Sequence, residues 1–258
     1  MKATARRSLP HLLPLLLLPL TPHSSLLTPL HSFLAFMPTL LIADDHPLFR
    51  EALRGAVQRV FPGAKLKEAE SVDTLYALVE ANPDADLLLM DLNMPGAHGF
   101  NALVHLRALH PQLPVVVVSA REEPSVMRRA LDHGALGFIP KSTDSETIGK
   151  AISAVLDGEH WAPPEAHAAP AIGRDEQEVA QRLRELTPQQ FRVLQMLGAG
   201  RLNKQIAYDF GVSEATIKAH VTAILRKLHV TNRTQAVLMA GKLAVEPDGM
   251  IPPPEEQD

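Results

Sequence analysis

Between residues 39 and 156 the chain alternates short unbroken apolar runs with stretches whose apolar residues recur at helical spacing. Thr39–Ala43, Leu87–Met90 and the β-branched run Leu113–Val118 are bounded by turn or polar residues, and suit strands buried on both faces. Lys65–Ala69 and Ala135–Ile139 are shorter strand candidates. Between them Leu48, Ala52, Leu53, Ala56, Val57 and Val60 lie on one helical face, and Leu75, Leu78 and Val79 on another. Further helices are expected from about Gly99 to Leu109, from Pro124 to His133 and from Ser142 to Leu156. Five strands alternating with five helices predict an α/β, (βα)5, doubly wound parallel sheet.

After Asp157-Gly158 the pattern changes. Trp161 to Ala171 is rich in Ala and Pro and reads as linker. Residues 174–185 are charged, with Val179, Ala180 and Leu183 apolar, and read as a lead-in helix, as compatible with a solvated linker as with an interface. Four helices then follow. Thr187-Pro188 opens the first, Asn203 is expected to cap the second, Ser213 the third, and Asn232-Arg233 opens the fourth. Gly211-Val212 turns the second into the third, which is the helix-turn-helix pattern. The expected organisation is a leader over 1–36, an α/β domain over 38–157, a linker over 158–185, an all-α four-helix domain over 186–245, and an acidic disordered tail over 246–258.

Charge divides the chain the same way. The net charge of −4 combines −5 over 38–157 (11 basic, 16 acidic residues) with +6 over 187–245 (8 basic, 2 acidic). An acidic domain joined to a small basic one suggests a regulator attached to a polyanion binder. The absence of Cys rules out disulfides and thiolate metal sites. Lys2, Arg6 and Arg7 before a Leu-rich stretch imitate a signal peptide, but the prolines at 10, 14, 19, 22 and 29 oppose a spanning helix. Met37 is therefore the expected start, with no membrane association.

In open α/β sheets chemistry gathers beyond the carboxyl ends of the strands. Those ends carry Asp44, Asp45, Asp91, Ser119 and Lys141. Three converging carboxylates repel one another unless a cation joins them, and all-oxygen ligation favours Mg²⁺. Asp91 is then placed to attack phosphorus in line, with Lys141 and the Ser119 hydroxyl on the other phosphoryl oxygens. Singly, each of these residues also fits a cap, a turn or a solvated side chain; their joint order is what is specific. In the basic domain, the outward face of the third helix carries Lys218, His220, Thr222, Arg226 and Lys227, which suits phosphates and major-groove edges.

Residues 38–157 resemble a two-component receiver domain, with Asp44-Asp45 as the acidic pair, Asp91 as phosphoacceptor, Ser119 and Phe138 as switch residues, and Lys141 as the conserved-type lysine. Gly200–Ala207, Val212–His220, Lys227-Leu228 and Asn232-Arg233 resemble a LuxR-type helix-turn-helix. Together, 38–243 resemble a response regulator of the NarL/FixJ family. The resemblance implies Mg²⁺ on Asp45 and Asp91, with Asp44 through water and the Asn93 carbonyl as a further ligand. It implies a sensor histidine kinase as phosphodonor, double-stranded promoter DNA as target, a homodimer on activation, and a cytoplasmic location. It assigns Lys218, Ala219 and Thr222 to base edges, and Lys204, Thr216, His220 and Lys227 to the DNA backbone. It further implies that the unphosphorylated receiver packs on the output domain and restricts the recognition helix. Gln190 stands where the family usually has Glu, which suggests a lost local contact. The rivals are a DNA-binding regulator indifferent to phosphate and a Mg²⁺ phosphohydrolase with Asn93 in place of its second acid. A dinucleotide-binding enzyme is disfavoured, because no Gly-x-Gly-x-x-Gly follows the first strand.

Overall fold

The computed structural model describes residues 37–245; the expected leader over 1–36 and the tail over 246–258 lie outside them. Five strands, β1 (Thr39–Ala43), β2 (Lys65–Ala69), β3 (Leu87–Met90), β4 (Val115–Ser119) and β5 (Gly137–Pro140), form one parallel sheet in the order β2-β1-β3-β4-β5. Crossover helices connect them: α1 (Pro47–Val60), α2 (Val72–Glu80), α3 (Asn101–Leu109) and α4 (Pro124–Asp132), while α5 (Ser145–Leu156) follows β5. Strand order reverses between β1 and β3, so the crevice beyond their carboxyl ends is the topological switch point.

The central strands are apolar on both faces because both faces are covered. Leu40, Ile42, Leu87, Leu89, Val116 and Val118 pack with α1 and α5; Leu41, Leu88, Met90, Val115 and Val117 face the other way, toward α2, α3 and α4. Short polar side chains set the helix starts. Ser71 Oγ accepts from the Thr74 amide at α2, and Asp144 accepts from the Glu146 and Thr147 amides at α5.

Past α5 the chain does not run free. Trp161 joins the exposed edge of β5: the Phe138 amide donates to the Trp161 carbonyl (2.9 Å), and the Trp161 amide to the Leu136 carbonyl (3.1 Å). Gly137 permits this approach, since a Cβ there would lie 2.9 Å from the Trp161 oxygen. The short helix α6 (Glu165–Ala168) packs on α4, and α7 (Arg174–Arg184) packs on α3 with Val179, Ala180 and Leu183 buried. The stretch read as linker is thus largely packed structure, with its apolar residues serving as an interface.

The all-helical region comprises α8 (Pro188–Gly198), α9 (Asn203–Phe210), α10 (Glu214–Leu228) and α11 (Arg233–Gly241). Thr187, Ser213 and Asn232 cap α8, α10 and α11 as their side chains suggest. At α9 the expectation fails: Leu202 occupies the cap position and Asn203 is the first helical residue. Leu202 has no side-chain oxygen, and the Gln205 side chain compensates by accepting from the Leu202 amide (2.8 Å). Gly211, at φ +63°, ends α9 in the left-handed conformation that the tight turn requires.

Leu89, fully buried in β3, measures how much of the receiver rests on its core. Leu89→Ala should cost about 3 kcal/mol in urea unfolding of the receiver transition, the usual scale for a buried leucine.

Candidate functional site

The carboxyl ends of β1, β3, β4 and β5 bring together the residues singled out from the sequence. Asp91 follows β3 and is 2 % exposed; Asp44 follows β1 and is 1 % exposed. Lys141, just after β5, reaches both: its Nζ lies 2.9 Å from Asp91 Oδ2 and 2.5 Å from Asp44 Oδ2. The Phe49 ring lies under the same ammonium, 4.7 Å from it. Ser119 ends β4 fully buried, its Oγ accepting from the Arg121 amide (3.2 Å), while its carbonyl accepts from the Lys141 amide (2.8 Å). Phe138 is fully buried in β5. Asn93 lies two residues beyond Asp91, and its amide donates to Asp91 Oδ1 (3.2 Å).

Burial raises the Asp91 pKa above the usual carboxylate range, and the Asp44 charge adds to this; Lys141 and the Asn93 amide oppose it. For Lys141, burial works against the charged form, but its bonds to Asp44 and Asp91 prevail and the ammonium is held more firmly than usual. Asp44, Asp45, His46 and Asp91 offer ligand atoms within 4.8 Å of one another. Asp44 Oδ2 and Asp45 Oδ1 are buried and accept no hydrogen bond of ordinary geometry, although Lys141 Nζ stands near the first and His46 Nδ1 lies 2.9 Å from the second. Crowded carboxylate oxygens with spare acceptor capacity fit a hard divalent cation.

In the helical region, Lys204, Thr216, Lys218, Ala219 and Thr222 are exposed, as is Arg226; His220 is half-buried. Lys218 pairs with Glu214 one turn earlier, at 3.2 Å. Lys227 is differently placed. Its Nζ donates to the Glu185 carbonyl (2.7 Å) and to Gln190 Oε1 (2.8 Å), tying α10 to the start of α8. Gln190 Oε1 also accepts from the Thr187 amide (3.1 Å) and completes the capping box, so glutamine here keeps the contact whose loss its presence suggested.

The α/β and helical regions are docked against each other. The Phe100 amide donates to the Leu243 carbonyl (2.8 Å), and Asn101 Nδ2 to the Ala240 carbonyl (3.1 Å). Gln195 on α8 donates to the Gly96 carbonyl (2.6 Å), and Arg192 pairs with Asp73 (2.8 Å). Arg129 on α4 bonds Glu176 of α7 (2.8 Å) and the carbonyls of Lys242 and Ala244, and lies over the Phe100 ring. The docking surface is α8, α7 and the end of α11. The outward face of α10 stays exposed, and the contacts with the receiver hold the bundle from other sides. These docking residues were missed because their partners lie far away in sequence, and local pattern does not show them. Asn101 and His105, two buried polar residues one turn apart on α3, were the visible signal.

Comparison with known proteins agrees with both halves. Residues 40–153 match the family described as response regulator receiver domain, and residues 184–240 the family described as bacterial regulatory proteins, luxR family. The chain is 43 % identical over 213 residues to the glycerol metabolism activator of Pseudomonas putida, covering 80 % of this chain and 96 % of that protein. It is 31 % identical to the nitrate/nitrite response regulator protein NarL of Escherichia coli strain K12, over 78 % of this chain and 93 % of the relative. RcsB from Salmonella enterica serovar Typhimurium, solved bound to promoter P1flhDC in the presence of the phosphomimetic BeF3-, is similar at 22 % identity and a TM-score of 0.47, covering 80 % of this chain and 99 % of that one.

Gly99 is the tightest point of the docking surface. It has φ +62°, and a Cβ there would collide with the Leu243 carbonyl and the Val245 amide. Gly99→Ala should therefore open the two regions while leaving each folded, read as a larger radius of gyration in small-angle scattering with an unchanged far-UV circular dichroism spectrum.

Proposed function

This chain belongs to the response regulators that join a receiver domain to a LuxR-family DNA-binding helix-turn-helix, and on that premise we propose that phosphorylation of Asp91 switches its hold on DNA. The observation that carries the reading is the position of Asp91: buried at the end of a central strand, 2.9 Å from Lys141, with Asp44 and Asp45 beside it.

The donor is the phosphohistidine of a sensor histidine kinase. An Asp91 carboxylate oxygen forms the new bond to phosphorus while the phosphorus–nitrogen bond to the histidine breaks, so the products are an acyl phosphate and a free imidazole. Asp44, Asp45 and Asp91, with the Asn93 carbonyl, would hold Mg²⁺, which when bound neutralises charge on the phosphoryl oxygens. Lys141 already points at the Asp91 carboxylate and supplies a second positive charge there. The Ser119 hydroxyl, which accepts from the Arg121 amide, turns toward the phosphoryl group as donor. Phe138 moves into the space that Ser119 leaves, and β5 carries the change to Trp161 through their shared backbone bonds.

The described arrangement is then the restrained state. It clamps α8 and the end of α11 to the receiver, and release frees the four-helix domain to pair with a second copy on promoter DNA. Lys218, Ala219 and Thr222 meet base edges, and Lys204, Thr216 and His220 the backbone. Lys227 contributes to the bundle as well as to any backbone contact, since its ammonium is already engaged. The receiver over 38–157, the packed connector over 158–185 and the output domain over 186–245 are the three working parts, and the reading places them in the cytoplasm. No described helix is long and apolar enough to cross a membrane. The family is one of transcription regulators rather than enzymes, which sets aside the phosphohydrolase alternative.

Incubation with a small-molecule phosphodonor and Mg²⁺ should add one acid-stable, base-labile phosphoryl group, read as a mass increase. Asp91→Asn or removal of Mg²⁺ by a chelator should abolish it. Full labelling of the Asp91→Asn chain would show that another residue is the acceptor. A second test concerns DNA affinity: Lys218→Ala should weaken specific binding by about 1–3 kcal/mol and relax sequence preference. An equal loss on all sequences would move Lys218 to the backbone-contacting group.

A further inference from the structure

One residue of the docking surface differs in kind from the rest. His105 on α3 is fully buried between the receiver and the output domain. Its ring stacks on Phe191 of α8, with centroids 4.1 Å apart and planes 8° from parallel. Nε2 lies 3.1 Å from the Leu186 carbonyl, at the threshold of the output domain, and Nδ1 lies 2.7 Å from the Tyr76 hydroxyl of α2. A carbonyl only accepts, so the proton of the neutral ring sits on Nε2. Nδ1 is then an acceptor, and the Tyr76 hydroxyl donates to it. Every polar atom of the set is satisfied by the neutral imidazole.

We propose that the proton is a second input to this regulator: protonation of His105 releases the output domain from the receiver without any change at Asp91.

A protonated ring would present N–H at both nitrogens. The Tyr76 hydroxyl would have to turn its own hydrogen away, into a region where Tyr76 is 5 % exposed and makes no other hydrogen bond. The new charge would be sealed between Phe191 and the core with no carboxylate bonded to it. The titratable group acting on His105 from its own helix end is His110, which repels a second positive charge. Beside Tyr76, Asp73 and Glu80 of α2 and Arg192 of α8 line an open cleft, and Asp73 is already paired with Arg192. On α7, packed on α3, Arg184 acts on Arg107 and His133, and Glu176 is bonded to His133 and Arg129.

Burial accordingly lowers the His105 pKa to about 4, with the Leu186 carbonyl opposing and His110 assisting. In the released state the ring meets water and returns to about 6.5. The sign follows from linkage. Docking is fully supported above about pH 6.5 and weakens as the pH falls toward 4, because the released state binds the proton more tightly. The released-to-docked ratio should rise about tenfold between pH 7.5 and pH 5.5 on these two values. His133, buried at the contact of α4 with Glu176 of α7, has its pKa lowered by burial too and adds to the response in the same direction.

The inference rests on the docked arrangement being the restrained state, but its test reads docking itself and needs neither phosphodonor nor DNA. Small-angle scattering of the full chain between pH 7.5 and 5.0, with far-UV circular dichroism in parallel, should show expansion of wild type at unchanged helix content. Asp91→Asn should expand equally. His105→Gln, which cannot take up the proton, should lose more than half of the response. Tyr76→Phe, which removes the hydroxyl that favours the neutral ring, should move the midpoint to higher pH. Titration of the His105 ring protons by NMR in wild type gives a reading that depends on no variant, and its midpoint should lie below 6. A midpoint at or above 6.5, expansion that His105→Gln keeps in full, or expansion that coincides with loss of helix would each overturn the proposal.

Discussion

The structure turns on two carboxylates held out of water. Asp44 and Asp91 are nearly inaccessible, and Lys141 is the cation within reach of both. Removing charges from water costs several kcal/mol each, and an ion pair recovers this only with good geometry. Burial is the main reason that Asp91 is pushed toward its protonated form, and the Asp44 charge adds to it against the pull of the lysine they share. The strain is useful. It creates a preference for added positive charge beside the two carboxylates.

That dependence runs outward through rigid parts. Asp91, Ser119 and Lys141 stand at adjacent strand ends, and the Ser119 carbonyl is bonded to the Lys141 amide. Phe138 lies in β5, three residues before Lys141, which follows the strand, and the amide of Phe138 is bonded to Trp161. Backbone hydrogen bonds thus link the strand ends of the acidic site to the connector. From there α6 lies on α4, and Arg129 of α4 holds both α7 and the chain after α11. The docking surface combines dispersed hydrogen bonds, worth about 1 kcal/mol each, with apolar packing that joins Phe191, Leu194 and Leu197 of α8 to the receiver core.

Much of this was readable from the residues. The strands were legible because two-sided burial leaves continuous apolar runs, and the acidic site because its members all fall at strand ends. Helix starts at Thr187, Ser213 and Asn232 were legible from their side-chain oxygens. Leu202 was not, since there the capping acceptor comes from Gln205 three residues on. Nor was the packing of the Ala- and Pro-rich connector, where a backbone pairing at Trp161 uses no side-chain signal at all. The docking surface escaped for a related reason. Contacts such as Phe100 to Leu243 join backbone atoms of residues far apart in sequence, and local periodicity carries no trace of them.

The account stands most directly on whether the state of Asp91 sets the distance between the two domains. The chain has no cysteine, so one can be introduced at an exposed position on each domain and spin-labelled without background. Pulsed electron resonance then gives the distance distribution at pH 7.5, with Mg²⁺, before and after a phosphodonor is added. The account predicts a single short distance that lengthens and broadens in the Asp91 chain and stays short in Asp91→Asn. A distance that does not respond in the Asp91 chain, or that responds equally in both, would contradict it.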